Sequence, residues 1–364
     1  MPAGLYVHVP FCSGKCPYCD FYSITALDLI PLWIEGLARE AALMAPLWPE
    51  PFDTLYLGGG SPSLLSDSEL TALFEALSPL GVIKGSEATI EANPEDVTPE
   101  KAASWLSRGV NRISVGVQSF DVRWLHDSLN RRHTVEENYQ AINAAAELGV
   151  SLSLDLIFGH AGQTPEEWAA DLDKAANSWA DHISAYGLTA APSTLLGRAL
   201  ASGAAPKLPG EERSSELFMV TGEALAMRGF ERYEVSNFAR GGSVCRHNLK
   251  YWRREPYLGL GPSAHSFDGR RRWANASSVR RWAAALNRGE RSLEFVEELT
   301  EQQIRLERIM LGLRLEEGLS VDLIEPSEKL TDLVENGFLT LVDSRLKPTP
   351  KGFMTADALA KLLA

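Results

Sequence analysis

The chain has 364 residues, 45% of them hydrophobic, which is enough for a large core and about two domains. A formal net charge of −13 argues against a nucleic-acid partner, and no window of 18 or more uncharged apolar residues reads as an integral membrane segment. Four cysteines, with no secretory leader legible at the first residues, point to a reduced, cytoplasmic protein.

The first expected strand covers residues 5–9, and directly after it stands Cys12-Ser-Gly-Lys-Cys16-Pro-Tyr-Cys19. Three thiols so close together suit a [4Fe-4S] cluster, which normally takes four thiolates; three leave one iron open to a ligand from outside the protein. Other readings exist. Cys16-Pro-Tyr-Cys19 alone matches a redox dithiol, but Cys12 is then unexplained. Zinc would need a fourth ligand from His8, Asp20 or Cys245, and zinc cysteines usually come as two separated pairs. Simple burial as small apolar side chains is the plainest alternative.

Further strands are expected at 54–57, 88–91, 112–118, 151–157 and 182–188, with helices between them. Thr98-Pro99 opens one helix, and Thr134 with Glu137 and Thr164 with Glu167 are capping-box pairs. Gly109 and Gly149 stand where C-terminal caps belong. Six βα units in series, without a seventh or eighth, imply an α/β fold with a partial, TIM-like (βα)6 parallel barrel. Its polar residues gather at strand C-terminal ends, where such folds place their sites. Gly58-Gly59-Gly60-Ser61-Pro62 follows the second strand, where bare backbone could approach a ligand's amine and carboxylate. Glu91, Gln118 and Asp155 end the next three strands.

The domain reading is a barrel over residues 1–235, a connecting segment over 236–295 and a C-terminal module over 296–364. Residues 246–291 hold 11 Lys and Arg against 3 Asp and Glu, in a chain that is otherwise strongly acidic. From residue 300 the pattern is helix at 300–314 and 329–336, a hairpin over 337–349, and helix over 350–363. That outline is a small winged-helix-like α+β module. Its Arg305, Arg308 and Arg314 stand among many acids, so duplex binding is not expected; covering the open side of the barrel is.

Cys-x3-Cys-x2-Cys with an aromatic before the last cysteine resembles the radical S-adenosylmethionine (SAM) family. The resemblance implies that Cys12, Cys16 and Cys19 hold the cluster, that SAM chelates its open iron and is reductively cleaved to a 5'-deoxyadenosyl radical, and that Tyr18 lies against the adenine. Within that family the chain is similar to the oxygen-independent coproporphyrinogen III oxidase group. The shared stretches are Leu5 to Cys12, Gly58 to Ser63, Glu91-Ala-Asn93-Pro94, Gly116-Val-Gln118-Ser-Phe120, Arg131 with His133, and Asp155 to Thr164. The SAM contacts so implied are Tyr6, Tyr18, Phe21, Gly59, Gly60, Ser61, Glu91, Gln118, Arg131 and Asp155. Ser61 replaces a threonine of the pattern, Asn130 a glycine, and His160-Ala161 a Leu-Pro.

Two features place the chain nearer the HemW branch of that group. Phe21 stands where coproporphyrinogen dehydrogenases carry a further cysteine. His247-Asn248-Leu-Lys-Tyr251-Trp252 matches a His-Asn-x-x-Tyr-Trp motif. That branch is regarded as heme chaperones, which bind heme, deliver it to respiratory acceptor proteins and lack the decarboxylase. By this resemblance His247 is the candidate axial ligand, with Asn248, Tyr251 and Trp252 around the macrocycle and Cys245 a weaker thiolate candidate. Arg270, Arg271 and Arg272 are candidates for the propionates, or for docking a flavodoxin or ferredoxin electron donor. The plain alternatives are a histidine held beside packed aromatics and an ordinary solvated basic loop. The expectation is a cytoplasmic heme chaperone, peripheral to a membrane only through its acceptors, with no residue assigned a catalytic role. The alternative is oxidative decarboxylation of coproporphyrinogen III; radical SAM RNA modification fits the charge poorly.

Overall fold

The computed structural model describes residues 2–363. Parallel strands run side by side in chain order: β1 (Gly4–Val9), β2 (Phe52–Gly59), β3 (Val82–Ala92), β4 (Arg112–Gln118), β5 (Ser151–Phe158) and β6 (His182–Gly187). Helices α1 (Ile30–Met44), α2 (Asp67–Ala76), α3 (Pro99–Ser107), α4 (Val135–Glu147) and α5 (Pro165–Ala176) make the crossovers. Capping boxes form at Thr134 and Thr164, and a third at Ser66 with Glu69. Gly109 and Gly149 take φ of 93° and 64°, the left-handed conformation that ends a helix without steric cost. Strand side chains such as Val115, Leu154 and Leu156 are fully buried, as expected for a sheet covered by helices.

The sheet does not stop at β6. After α6 (Leu195–Ala201) and α7 (Glu211–Ala226), a hairpin of β7 (Glu231–Arg232) and β8 (Asn237–Ala239) adds antiparallel to β6. The chain then passes through α8 (Arg246–Trp252) to the opposite edge. There β9 (Tyr257–Leu260) pairs parallel with β1. Beyond it lie β10 (His265–Phe267), β11 (Arg271–Asn275) and, after α9 (Val279–Leu286), β12 (Leu293–Glu298). Residues 236–295 are thus part of one twelve-stranded open sheet rather than a connector, and the β7–β8 hairpin runs through residue 235.

α8 sits across the N-terminal ends of β2 and β3. Thr54 and Glu87 are register partners there, and both reach α8: Thr54 Oγ1 is 2.8 Å from His247 Nδ1, while Glu87 accepts from the backbone N–H of Arg246 at 2.9 Å and of His247 at 2.8 Å. A carboxylate on the first N–H groups of a helix satisfies donors that have no partner within it.

The C-terminal module has its own apolar cluster around Ile309, Leu339, Leu346 and Leu359. It is built from α10 (Glu301–Gly312), β13 (Leu319–Ser320), α11 (Glu328–Glu335), β14 (Leu339–Val342), β15 (Arg345–Pro348), α12 (Pro350–Met354) and α13 (Ala356–Leu363). The single terminal helix expected from the sequence is broken at Thr355. α10 leaves the β12 edge, and Leu315, just past its end, bridges to Glu234 in the β7–β8 turn. The module therefore ties the two edges of the open sheet together.

Four arginines of the basic segment are taken up by this junction. Arg272 grips Glu307 of α10 with both terminal nitrogens at 2.8 and 3.2 Å, and Arg254 donates to the same carboxylate at 2.8 Å. Arg253 pairs with Glu317, and Arg270 with Glu298 and Glu301. Arg270 and Arg272, expected to face propionates or an electron donor, are instead matched to acids 28 to 35 residues further along the chain.

Candidate functional site

The loop after β1 folds back on itself. Ile24 N–H donates to Pro10 O at 2.7 Å and Cys12 N–H to Ile24 O at 3.0 Å, so residues between them form a closed lobe carrying all three cysteines. Cys12, Cys16 and Cys19 are free thiols and line one cavity of about 740 Å³ at the C-terminal ends of the strands. His8 and Asp20, the zinc alternatives, are engaged elsewhere: His8 Nε2 lies 2.8 Å from Tyr22 O, and Asp20 accepts from Ser193. Cys245 lines the same cavity from the segment leading into α8, not from the cysteine lobe.

Two groups hold the sulfurs. Ser61 Oγ lies 3.6 Å from Cys12 Sγ and Arg131 Nη1 3.6 Å from Cys16 Sγ. Asn93 joins them, donating to Ser61 Oγ at 3.0 Å and accepting from Arg131 at 2.8 Å. Asn93 stands in the Glu91-Ala-Asn93-Pro94 stretch with no role assigned from sequence; its position two residues past Glu91 is the available signal. Asn130, where the pattern has glycine, takes φ 50°, a conformation asparagine tolerates better than most residues.

The glycine loop departs from its expected use. Gly59 N–H donates to Glu91 Oε2 at 3.0 Å, Gly60 N–H to Val9 O at 2.7 Å and Ser61 N–H to Phe11 O at 2.7 Å. Three successive donors are spent inside the protein, so this backbone is not free to receive a ligand's carboxylate. It does allow close approach: a Cβ on Gly60 would lie 2.5 Å from Phe11 O, and one on Gly59 2.5 Å from the His8 ring.

Acid groups gather below. Glu91 accepts from Tyr56 Oη at 2.9 Å, and burial, with Asp155 nearby, raises its carboxyl to about 7. Burial also raises Asp155, which accepts from Ser114 Oγ at 3.0 and 3.2 Å. Gln118 closes β4 at φ 64°, a strained backbone for a side chain at a site. His160, at the changed position of the pattern, is stacked on Trp124 at 4.9 Å and bonded to Ser128 and Ile157, so the loop is held without Leu-Pro.

Of the residues implied for SAM, Tyr18, Phe21, Gly59, Gly60, Ser61, Glu91, Gln118, Arg131 and Asp155 line the cavity. Tyr6 does not; its hydroxyl is 3.1 Å from His8 Nδ1 and its ring packs on Tyr56 and His247. Among the heme candidates Asn248 and Cys245 reach the cavity floor, and burial pushes the Cys245 thiol up to about 12. His247 does not reach it. The ring is fully buried, stacked on Tyr56 at 5.2 Å, with Nδ1 bonded to Thr54 and Nε2 2.8 Å from Tyr251 Oη. Burial lowers its pKa to about 3, so it is neutral and each nitrogen has a protein partner. Tyr251 is held by this bond and by the Tyr257 ring, and Trp252 ends α8 half-buried.

A radical SAM superfamily model matches residues 6–175 and a HemN C-terminal domain model residues 299–355. "Heme chaperone HemW" of Mycobacterium tuberculosis is 33% identical over 371 residues, covering all of this chain and 95% of that one. The chain belongs to the HemW family. HemW relatives from Bacillus subtilis and Escherichia coli are each 32% identical, covering 95% and 99% of this chain and 95% and 98% of their own. The Escherichia coli coproporphyrinogen III oxidase structure, 22% identical, superposes with a TM-score of 0.83 over 100% of this chain and 90% of that one, which establishes the fold. A radical SAM domain implies a [4Fe-4S] cluster and SAM, and the residues fit: three free thiols on one cavity, with a guanidinium and a hydroxyl at two of the sulfurs. A bound cluster would offer SAM an open iron and a one-electron redox centre. Among the described residues no helix is long and apolar enough to cross a membrane.

Proposed function

We propose that this protein is a heme chaperone: it binds heme and passes it to acceptor proteins, on a radical SAM scaffold whose Cys12, Cys16 and Cys19 carry a [4Fe-4S] cluster and whose cavity takes SAM. The observation that carries this reading is the full-length similarity to HemW chaperones, which spans barrel, α8 motif and C-terminal module alike. Phe21 supports it, standing 68% exposed on the cavity rim with an apolar ring in place of a further thiol.

For His247 to ligate heme iron, Nε2 has to leave Tyr251 and the imidazole has to leave its stack on Tyr56. α8 would have to lift from β2. The deciding experiment is paired. Reconstituted protein is titrated with hemin, and separately incubated with SAM, a reductant and coproporphyrinogen III. Saturable hemin binding without protoporphyrinogen is the expected result; protoporphyrinogen formation, or no hemin uptake, overturns the reading.

A further inference from the structure

The lobe that carries the three cysteines stands at the surface: Ser13, Lys15, Asp20 and Phe21 are exposed, and the cysteines partly so. Cations gather on it. Lys15, inside the lobe, donates to Phe21 O at 3.4 Å. Arg132, next to the Arg131 that reaches Cys16, donates to Ser13 O at 3.2 Å with its guanidinium lying against Gly14. Arg198 of α6 donates to Ser193 O at 2.5 Å, and Ser193 donates in turn to Asp20. Leu196 N–H donates to Pro17 O at 2.8 Å, which seats the start of α6 on the lobe.

Lys15, Arg132 and Arg198 are all exposed. Backbone carbonyls are their only hydrogen-bond partners among the described residues, and there none of the three is in an ion pair. Of the acids that line the cavity, Glu91 and Asp155 lie below; Asp20 and Glu95 stand at the mouth. Asp20 is occupied by Ser193, and Glu95 lies beside His133 and Arg131. The mouth therefore keeps unmatched positive charge on a chain of net −13. Phe21 and Leu195, 68% and 57% exposed, sit among these cations: Phe21 O receives Lys15, and Leu195 is two residues past Ser193. An apolar centre with charge around it is the make-up of a protein interface, the charge steering the encounter.

We propose that the cysteine lobe, with Lys15, Arg132 and Arg198 around Phe21 and Leu195, is the docking surface for a small acidic protein that carries a one-electron centre. One electron leaves the carrier, which is oxidised, and enters the cluster held by the lobe, which is reduced; no bond forms or breaks. Complexes of this kind bury little area and are short-lived, so a patch of this size suffices. The inference rests on the cluster assignment and is independent of heme. The arginines first read as a donor site are closed to that use, because Arg270, Arg271 and Arg272 each pair with an acid of this chain.

The test takes an acidic flavodoxin as probe. Its hydroquinone is mixed anaerobically with reconstituted wild type, K15E/R198E and R132Q in a stopped-flow cell, at salt from about 20 to about 500 mM. Affinity for oxidised flavodoxin is measured by calorimetry on the cluster-free proteins. Circular dichroism checks each fold, and R132Q stands in where K15E/R198E does not fold. Wild-type cluster reduction is expected to slow at least about tenfold over that salt range. K15E/R198E is expected to lose at least about tenfold in rate and affinity at low salt, R132Q at least about threefold, and dithionite to reduce all three alike. Folded variants equal to wild type in rate and affinity overturn the site, as does a wild-type rate indifferent to salt. A loss that dithionite reproduces overturns it too, because the lobe and not the docking was then damaged. Hemin uptake, which tests the chaperone reading, enters none of these outcomes.

Discussion

Thr54 Oγ1 and His247 Nδ1 lie 2.8 Å apart across 193 residues of chain, pinning α8 to the start of β2. His247→Ala removes this bond, the bond to Tyr251 and a buried ring. Stability is expected to fall by about 2–4 kcal/mol, read from urea unfolding midpoints. A variant as stable as wild type would show that the imidazole is not a structural pin.

Glu40, buried between α1 and β11, accepts from Gly261 N–H at 2.8 Å and Asn275 Nδ2 at 2.6 Å. Burial raises its carboxyl to about 7, against about 4.3 in an unfolded chain. A folded state that holds the proton more tightly is favoured at low pH, so this contribution is complete below pH ~4.5 and lost as pH rises through ~7. Unfolding free energies for wild type and Glu40→Gln across pH 4.5–8 are expected to diverge, the wild type alone losing up to about 3 kcal/mol. Parallel curves would refute the assignment.

Gly60→Ala places a Cβ 2.5 Å from Phe11 O and 2.7 Å from Val9 O, both backbone atoms of the chain leading into the cysteine lobe. Neither yields cheaply. The expected result is a loss of about 1–3 kcal/mol in stability and at least tenfold in SAM affinity, measured by unfolding and by isothermal titration of the reconstituted protein.

Arg272 and Glu307 form a two-pronged, partly buried pair, whereas Arg270 and Glu298 are mostly exposed. Double-mutant cycles are expected to give a coupling of about 1–3 kcal/mol for the first pair and under about 0.5 kcal/mol for the second, with only the second abolished by high salt. Equal couplings would mean the arginine fork does not hold α10 to the sheet.

Parallel strands β1 to β6 were legible because each is a short apolar run bounded by turn or cap residues, and the helices because their caps are written locally. β7 to β11 were not: each has two to five residues, too few for a period to register. The site divided in the same way. Cysteine spacing and strand-end acids are local signals, and those residues do line one cavity. The state of His247 depends on Thr54 and Tyr56, which no pattern near residue 247 announces. The basic segment looked like a free patch because Glu307 and Glu317, which pair with Arg253, Arg254 and Arg272, fall in another part of the chain. The glycine loop was visible as bare backbone, but its donors are claimed by the carbonyls of Val9 and Phe11 and by Glu91, and only the fold reveals that.

The open sheet has a cost of its own. A barrel that never closes keeps two strand margins whose unpaired amides could recruit another chain. One margin, β7, is only two residues long; the other, β12, reads Leu-Glu-Phe-Val-Glu-Glu and sets three negative charges along its length. α10 and the chain just past it span these margins. Removing everything after residue 298 would therefore do more than delete a module. It would leave a curved sheet with both borders bare, and the foreseeable fate of that fragment is self-association, whatever its cysteines can still hold.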